Sequence, residues 1–155
     1  MGDRGNIVVI GRDTRDQVWF YGHWSGHRMP AVVQHAIREG NGRWQDPSYF
    51  ARVMFCRLLP NDDRYLESTS YGISTSIGDN EHPIMVADCV NQRVYTIEEK
   101  QLKEGQVPLD FKPKKAWTFE EYETLEVLPW GDMESQLAEV GRTTHGVNPN
   151  NKVKG

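Results

Sequence analysis

The chain has 155 residues, of which 37% are hydrophobic and 26% are charged, and its formal net charge is −4. This length and composition predict one globular domain with its own core, and they exclude a disordered or fibrous chain. Because the net charge is acidic and no basic stripe is visible, we expect no binding to duplex nucleic acid.

Cysteine usage and hydropathy bear on the cellular compartment. The two cysteines, Cys56 and Cys89, lie in apolar runs and form no CxxC pair, which is typical of proteins in a reducing cytoplasm. The N-terminus lacks the pattern of a signal peptide, and no apolar run approaches the ~20 residues of a spanning helix. We therefore expect a cytoplasmic protein without a membrane segment.

The first part of the chain predicts a β-hairpin followed by two helices. Residues 7–10 and 17–24 are apolar and aromatic runs around a short polar turn. Residues 29–39 carry apolar side chains at helical spacing, with a proline in the first turn and a glycine after the last. A second helix begins after Asp46, a good N-cap, and ends near residues 60–63.

Three further strands are predicted at residues 71–77, 83–89 and 94–97. The order β-β-α-α-β-β-β predicts an α+β fold, an antiparallel sheet of about five strands with two helices packed on one face.

Three regions are predicted along the chain: a core domain over residues 1–98, an extension packed on it over 99–140, and a mobile tail over 141–155. The extension is polar at first and then carries a capping box at residues 118–121, which predicts a short helix.

No strong catalytic motif is present in the sequence. It contains no P-loop, GxGxxG, GxSxG or HExxH pattern. We accordingly predict no cofactor and no metal, and a binding role is favoured over an enzymatic one.

The densest group of reactive side chains lies where the second strand passes into the first helix. Two glycines there would let backbone N–H groups approach a ligand, and a helix N-terminus favours anions. The candidate ligand-binding residues in this segment are Tyr21, His23, Trp24, Ser25, His27 and Arg28. The alternative is a glycine-containing turn whose aromatic residues pack into the core.

Two other groups are candidates. Arg43 and Trp44 precede the second helix and could grip a phosphate and stack a base, or simply pack beneath the helix entry. Asp79, Asn80 and His82 lie in the turn at residues 78–82 and could hydrogen-bond a sugar, although polar turns are common for solubility alone.

Combinations of these residues suggest other chemistries. A metal site can be drawn from the turn together with His23 and His27, but no spacing requires it. For catalysis, His23 would be the general base and Asp79 or Glu81 its partner or the general acid, with His82 as the alternative histidine.

Several segments taken together resemble a family of small, largely uncharacterised phage, prophage and bacterial accessory proteins. The likeness covers residues 1–98 and is carried by Arg4–Ile7, Val18–Gly26, Arg43–Tyr49, Tyr71–Thr75 and Asp79–Ile84. One departure is Gly22, where the family pattern leads us to expect Thr or Ser before the histidine. The resemblance carries over no catalytic residue, but it implies a protein that acts by binding host components, including nucleotide-derived immune signals.

The leading hypothesis is an anti-defence protein that sequesters a small phosphorylated, nucleotide-like ligand, with binding between the subunits of a homodimer. The segment from His23 to Arg28 would receive phosphate, Tyr21, Trp24 or Trp44 would stack the base, and Arg28 or Arg43 would neutralise charge. Asp79 and Asn80 would bond the sugar. The alternatives are a hydrolase with a His/carboxylate site and a protein-interaction module whose anchors are Trp19, Tyr21 and Trp44.

Overall fold

The computed structural model describes residues 2–12, 16–59 and 70–130, and the predicted tail lies outside them. The strands are β1 (Gly5–Ile10), β2 (Gln17–Gly22), β3 (Tyr71–Ser74), β4 (Ile84–Asp88), β5 (Arg93–Ile97) and β6 (Trp117–Thr118). The helices are α1 (Met29–Glu39), α2 (Pro47–Leu58) and α3 (Phe119–Glu123), and single 3₁₀ turns lie at Gly26–Arg28 and Glu99–Gln101.

The fold is α+β, as predicted, but the sheet has six strands and is mixed, whereas an antiparallel sheet of about five strands was predicted. The strand order is β3-β2-β1-β4-β5-β6, and every neighbouring pair is antiparallel except β1 and β4. In that parallel pair Ile7 lies opposite Met85 and Ile10 opposite Asp88. Because β1 and β4 run in the same direction, their N-terminal ends lie at the same end of the sheet, and the C-terminal end of β2 lies there too.

Helix boundaries follow local chemistry. The carboxylate of Asp46 accepts the backbone N–H of Tyr49 at 3.2 Å, so it caps α2 as predicted. The hydroxyl of Thr118 accepts the N–H of Glu121, whose carboxylate accepts the N–H of Thr118, both at 2.9 Å. This confirms the predicted capping box of α3.

Both faces of the sheet are covered. The three helices pack on the face that carries Ile7, Val9 and Phe20, and these side chains are 1% exposed or less. The opposite face carries Val8, Ile10, Trp19 and Tyr95, and it is covered by the chain that follows β5, including the buried Val107. In the part of the chain that the structure describes, no helix combines the length and hydropathy needed to cross a membrane.

Candidate functional site

Two of the polar segments predicted to bind a ligand lie together at the end of the sheet where β1 and β4 begin. We call residues 23–28, between β2 and α1, the junction, and residues 78–82, between β3 and β4, the tip. The backbone N–H of Glu81 donates to the carbonyl of Arg4 at 2.9 Å, which holds the tip beside the residues that precede β1. The parallel pairing of β1 with β4 therefore brings the junction and the tip to one place.

The carboxylate of Asp3 connects the junction to the tip. Its Oδ1 accepts a 2.5 Å hydrogen bond from Nε2 of His82, and its Oδ2 bonds to Nδ1 of His27. Oδ2 also accepts the backbone N–H of His27 at 3.0 Å. Burial raises the pKa of Asp3, but the hydrogen bonds from His82 and His27 outweigh it and hold that pKa below its ordinary value of 3.8. Asp3 is therefore a carboxylate with three donors.

The main chain of Asp3 is fixed as well. Its N–H donates to the carbonyl of His23 at 2.9 Å, and its carbonyl accepts the N–H of Gly26 at 2.7 Å. Gly26 has no room for a side chain, because a Cβ there would lie 2.2 Å from Cδ2 of His82. Gly26 was predicted to let a ligand approach the backbone of the junction, but the imidazole of His82 occupies the space beside it.

The start of the helical run is not open in the way that the sequence suggested. The N–H of His27 is taken by Asp3, and the N–H of Arg28 donates to the carbonyl of Ser25 at 3.0 Å. The position at which we expected a ligand phosphate is thus filled by a carboxylate of the protein itself.

Arg28 lies in the interior and not at the ligand-accessible surface for which it was predicted. The residue is 4% exposed, and its Nη2 donates to the carbonyl of Leu58 at 2.6 Å and to Oγ of Ser25 at 3.4 Å. Leu58 is the last residue of α2, whose C-terminal end carries partial negative charge. The guanidinium therefore stabilises the end of α2, and Ser25, 1% exposed, is also a packing residue.

The aromatic residues of the junction reach the surface. The hydroxyl of Tyr21 and Nδ1 of His23 share a 2.8 Å hydrogen bond, and the His23 and Trp24 rings meet edge to face with centroids 4.5 Å apart. Trp24 is 57% exposed. Burial, and secondarily the charge of Asp79, raises the pKa of the Tyr21 phenol, so this group stays protonated at neutral pH. Trp24 thus offers an accessible aromatic face beside two polar rings.

Beside the tip lies a polar cavity of about 450 Å³, lined by Arg4, Ile77, Gly78, Asp79, Asn80 and Glu99. The guanidinium of Arg4 lies 3.1 Å from the carboxylate of Glu81 and 3.5 Å from that of Asp79. The hydrogen bond with Arg4 lowers the pKa of Glu81, which keeps that carboxylate charged. Asp79 has a side chain that is 73% exposed, and it retains acceptor capacity toward the cavity.

The tip is shaped by two asparagines. Buried Asn6 donates from Nδ2 to the carbonyl of Asp79 at 2.9 Å and to Oδ1 of Asn80 at 3.0 Å, and its own Oδ1 accepts the N–H of Gly78 at 3.0 Å. Nδ2 of Asn80 donates to the carbonyl of His82. Asn80, predicted to bond a sugar, uses its amide to hold the turn, and Asp79 is the more available of the pair.

Arg43 and Trp44 are not brought to this site. They follow the C-terminal end of α1, and an 11-residue helix places that end about 16 Å from its beginning at the junction. Nε1 of Trp44 donates to the carbonyl of Ile37 at 2.9 Å, and its ring packs edge to face on Phe119. Arg43 pairs with Asp46 at 2.8 Å. Trp44 is therefore a packing residue, which is the alternative given for it in the sequence analysis.

Four residues of the site are not among those predicted from the sequence, namely Asp3, Arg4, Glu99 and Trp130. The Trp130 ring stacks on the His82 ring with centroids 5.8 Å apart and planes 7° apart, and its Nε1 donates to the carbonyl of Gly26 at 3.0 Å. The only local signal was the charged pair immediately before β1. Trp130 lies more than 100 residues from the junction, so no local pattern could have indicated its position.

Within residues 2–12, 16–59 and 70–130, no group of three or more His, Cys, Asp or Glu side chains is arranged to hold a metal ion. No family model, curated protein or solved structure matches the chain. What the site offers chemically is an exposed indole, a polar cavity and a carboxylate shared by two imidazoles.

Proposed function

We propose that the protein binds and sequesters a small, phosphorylated, nucleotide-like ligand at the surface formed by the junction and the tip. The observation that carries the proposal is the bridge from His27 through Asp3 to His82, which unites two polar segments into one site. Three chemically different features belong to the junction, the tip and the residues that connect them: an exposed indole, a polar cavity and a carboxylate held by two imidazoles. They match the base, the sugar and the anionic group of a nucleotide.

The base is assigned to Trp24. An indole that is 57% exposed can stack on a heterocycle, and base stacking on an aromatic side chain contributes about 1–3 kcal/mol. Tyr21, already bonded to His23, positions the neighbouring ring.

The sugar is assigned to the polar cavity, whose size is within the roughly 300–1,000 Å³ usual for small-molecule sites. Asp79 and Glu99 are carboxylate acceptors suited to hydroxyl groups, and Arg4 lines the same cavity as a donor. These groups form a net acidic wall, which suits a polyhydroxyl group better than a phosphate.

The biological setting is proposed from the resemblance to phage and prophage accessory proteins, which favours a host immune signal as the ligand and sequestration as the mode of action. A homodimer that binds ligand between subunits belongs to the same proposal. Light scattering with and without ligand tests that part directly.

The test is a thermal-shift screen of the full chain against mono-, di- and cyclic nucleotides, followed by calorimetry on any nucleotide that raises the melting temperature. Trp24→Ala should then weaken binding at least about fivefold, since a stacking contact of about 1–3 kcal/mol is lost. Arg43→Ala, an exposed change at the far end of α1, is the matched control and should leave the affinity unchanged. If no nucleotide binds, or if both variants lose affinity equally, the proposal fails.

One observation favours a second candidate, hydrolysis of the same ligand. The partner of His82 is the carboxylate of Asp3, an arrangement that suits a general base. In such a reaction water would form a bond to phosphorus, the ester P–O bond would break, and the proton taken by the imidazole would pass to the leaving oxygen. Incubation with a nucleotide followed by heat denaturation decides between the two, because a sequestering protein returns intact nucleotide and a hydrolase returns products.

The interaction-module alternative is weaker on geometry. Of its three proposed anchors, Trp19 is 1% exposed on the face of the sheet opposite the helices, and Trp44 is packed against Phe119 of α3. Interface anchors need accessible surface, and these two tryptophans supply little of it.

A further inference from the structure

The Asp3 carboxylate is bound as a ligand anion would be bound. It accepts from one backbone N–H and two imidazoles, and these donors come from different elements, the junction and the tip. The Asp3 side chain is 29% exposed, so solvent and solutes can reach this position.

The ring of His82 is held in place by contacts that do not involve the Asp3 carboxylate, and the backbone of His27 is held by the turn that contains it. The ring of His82 is stacked on Trp130 and lies against Gly26, and the tip that carries it is fastened to β1 by Asn6. His27 is part of the 3₁₀ turn that leads into α1. If the carboxylate moved away, Nε2 of His82 and the backbone N–H of His27 would still point at one place, and the imidazole of His27 would lie beside them.

The carboxylate can leave without unfolding the segment that carries it. The backbone of Asp3 is paired on both sides, with His23 and with Gly26, so the main chain is anchored independently of the side chain. Rotation about the first side-chain torsion moves the carboxylate between staggered positions and breaks only the hydrogen bonds that a new anion would replace.

From this geometry we propose that Asp3 is a built-in competitor for an anion-binding subsite formed by His27 and His82, and that the phosphate of an incoming ligand displaces it. The ligand class is a phosphate monoester or inorganic phosphate, both of which accept several hydrogen bonds at once. The inference rests on the proposed function, since it assigns the third part of the nucleotide to a place in the same site.

The charges around the subsite determine how strongly the competition acts. Asp79 and Glu81 are the carboxylates of the tip, and Arg4 pairs with both. The carboxylate of Asp3 is therefore the unfavourable charge that a phosphate would meet at close range. Removing it should both vacate the donors and remove that repulsion.

The test compares wild-type protein with Asp3→Ala at pH 7 by calorimetry, with inorganic phosphate, AMP and adenosine as separate probes. We expect Asp3→Ala to bind phosphate and AMP at least about tenfold more tightly than wild type, because an intramolecular competitor at high effective concentration is gone. Adenosine affinity should be unchanged. Asp110→Ala, which removes an exposed acidic charge outside the junction and the tip, controls for net charge and should show no gain.

The outcomes separate this inference from the proposed function. Tighter phosphate binding by Asp3→Ala, with AMP and adenosine failing to bind to either protein, supports the subsite and rejects the nucleotide proposal. AMP binding that is equal in the two proteins, or weaker in Asp3→Ala, overturns the inference and leaves the nucleotide proposal standing. If Asp3→Ala does not fold, the carboxyl ¹³C resonance of Asp3 in the wild type is followed during an AMP titration. A shift toward the value of a solvated carboxylate supports displacement, and an unchanged resonance at saturation overturns it.

Discussion

Asp3 and His82 lie 79 positions apart in the chain, and a 2.5 Å hydrogen bond joins Oδ1 of the aspartate to Nε2 of the histidine. The bond connects the residues that precede β1 to the turn that precedes β4. It forms because β1 and β4 are parallel neighbours, which places the segment before β1 beside the segment before β4. The hydrogen bond and the strand pairing support one another.

The pH dependence of stability tests the Asp3 contacts. Since the pKa of Asp3 is lowered on folding, its contribution is fully present above the unfolded value near 3.8 and is lost as pH falls through the lower folded value. Asp3→Asn should therefore reduce the free energy of unfolding at pH 7 by about 1.5–3 kcal/mol, the scale of hydrogen bonds to a charged group. Urea denaturation at pH 7 and at pH 2.5 should show that the difference between the two proteins shrinks at the lower pH. A difference independent of pH would mean that the folded carboxylate does not carry these bonds.

Gly26→Ala tests the close approach of His82 to the junction. The added methyl would lie 2.2 Å from Cδ2 of His82 and 2.9 Å from Oδ1 of Asp3, so the imidazole must move away from its partner. We expect a loss of about 1–3 kcal/mol in stability and at least tenfold weaker binding of a nucleotide ligand. Gly72→Ala is the control, because the nearest atom to its added Cβ is 4.0 Å away. Equal behaviour of the two variants would contradict the packing described for the junction.

Asn6→Ala tests how the tip is held. The substitution removes the donor to the Asp79 carbonyl and the acceptor for the Gly78 N–H, and leaves both groups without their partner. Stability should fall by about 1–3 kcal/mol, and the Gly78 amide should exchange with solvent much faster. Asn41→Ala, which removes an exposed bond to Glu123, should change neither quantity by a comparable amount. Unchanged exchange at Gly78 would show that Asn6 does not fasten the tip.

Arg28→Ala separates a structural role from a ligand-binding one. The guanidinium donates to the last residue of α2 from a position that is 4% exposed, so its removal should lower the free energy of unfolding by about 2 kcal/mol. The affinity for a nucleotide, measured well below the melting temperature, should change less than about threefold, since a charge-assisted contact to the ligand would be worth considerably more. If Arg28→Ala instead lost much of its affinity and kept normal stability, Arg28 would be a ligand-binding residue.

The sequence predicts those features of the fold that depend on neighbouring residues. The cap at Asp46 and the capping box at Thr118 are local patterns, and α2 and α3 begin where those patterns place them. The parallel pairing of β1 with β4 is different in kind, because both strands are continuous apolar runs that would suit either direction. Only the arrangement of the whole chain decides it.

The same distinction applies to the candidate site. The histidine-rich junction and the polar tip were recognisable as unusual local compositions, and the fold brings them together. The position of Arg28 just before a helix predicts a ligand contact, but the sequence does not reveal that the end of α2 lies against its guanidinium. The role of Asp3 cannot be predicted from the sequence, because no residue near it in the chain indicates that two imidazoles from distant segments bind its carboxylate.

The most direct measurement is a nucleotide titration followed by NMR of the full chain, with resonances of the histidine rings and tryptophan indoles assigned. Binding at the proposed site predicts that the largest shifts fall on the Trp24 indole and on the rings of His27 and His82, while the Trp44 indole remains unchanged. Shifts centred on Trp44, or no shift with any nucleotide at millimolar concentration, would contradict the assignment of a nucleotide-like ligand to the junction and the tip.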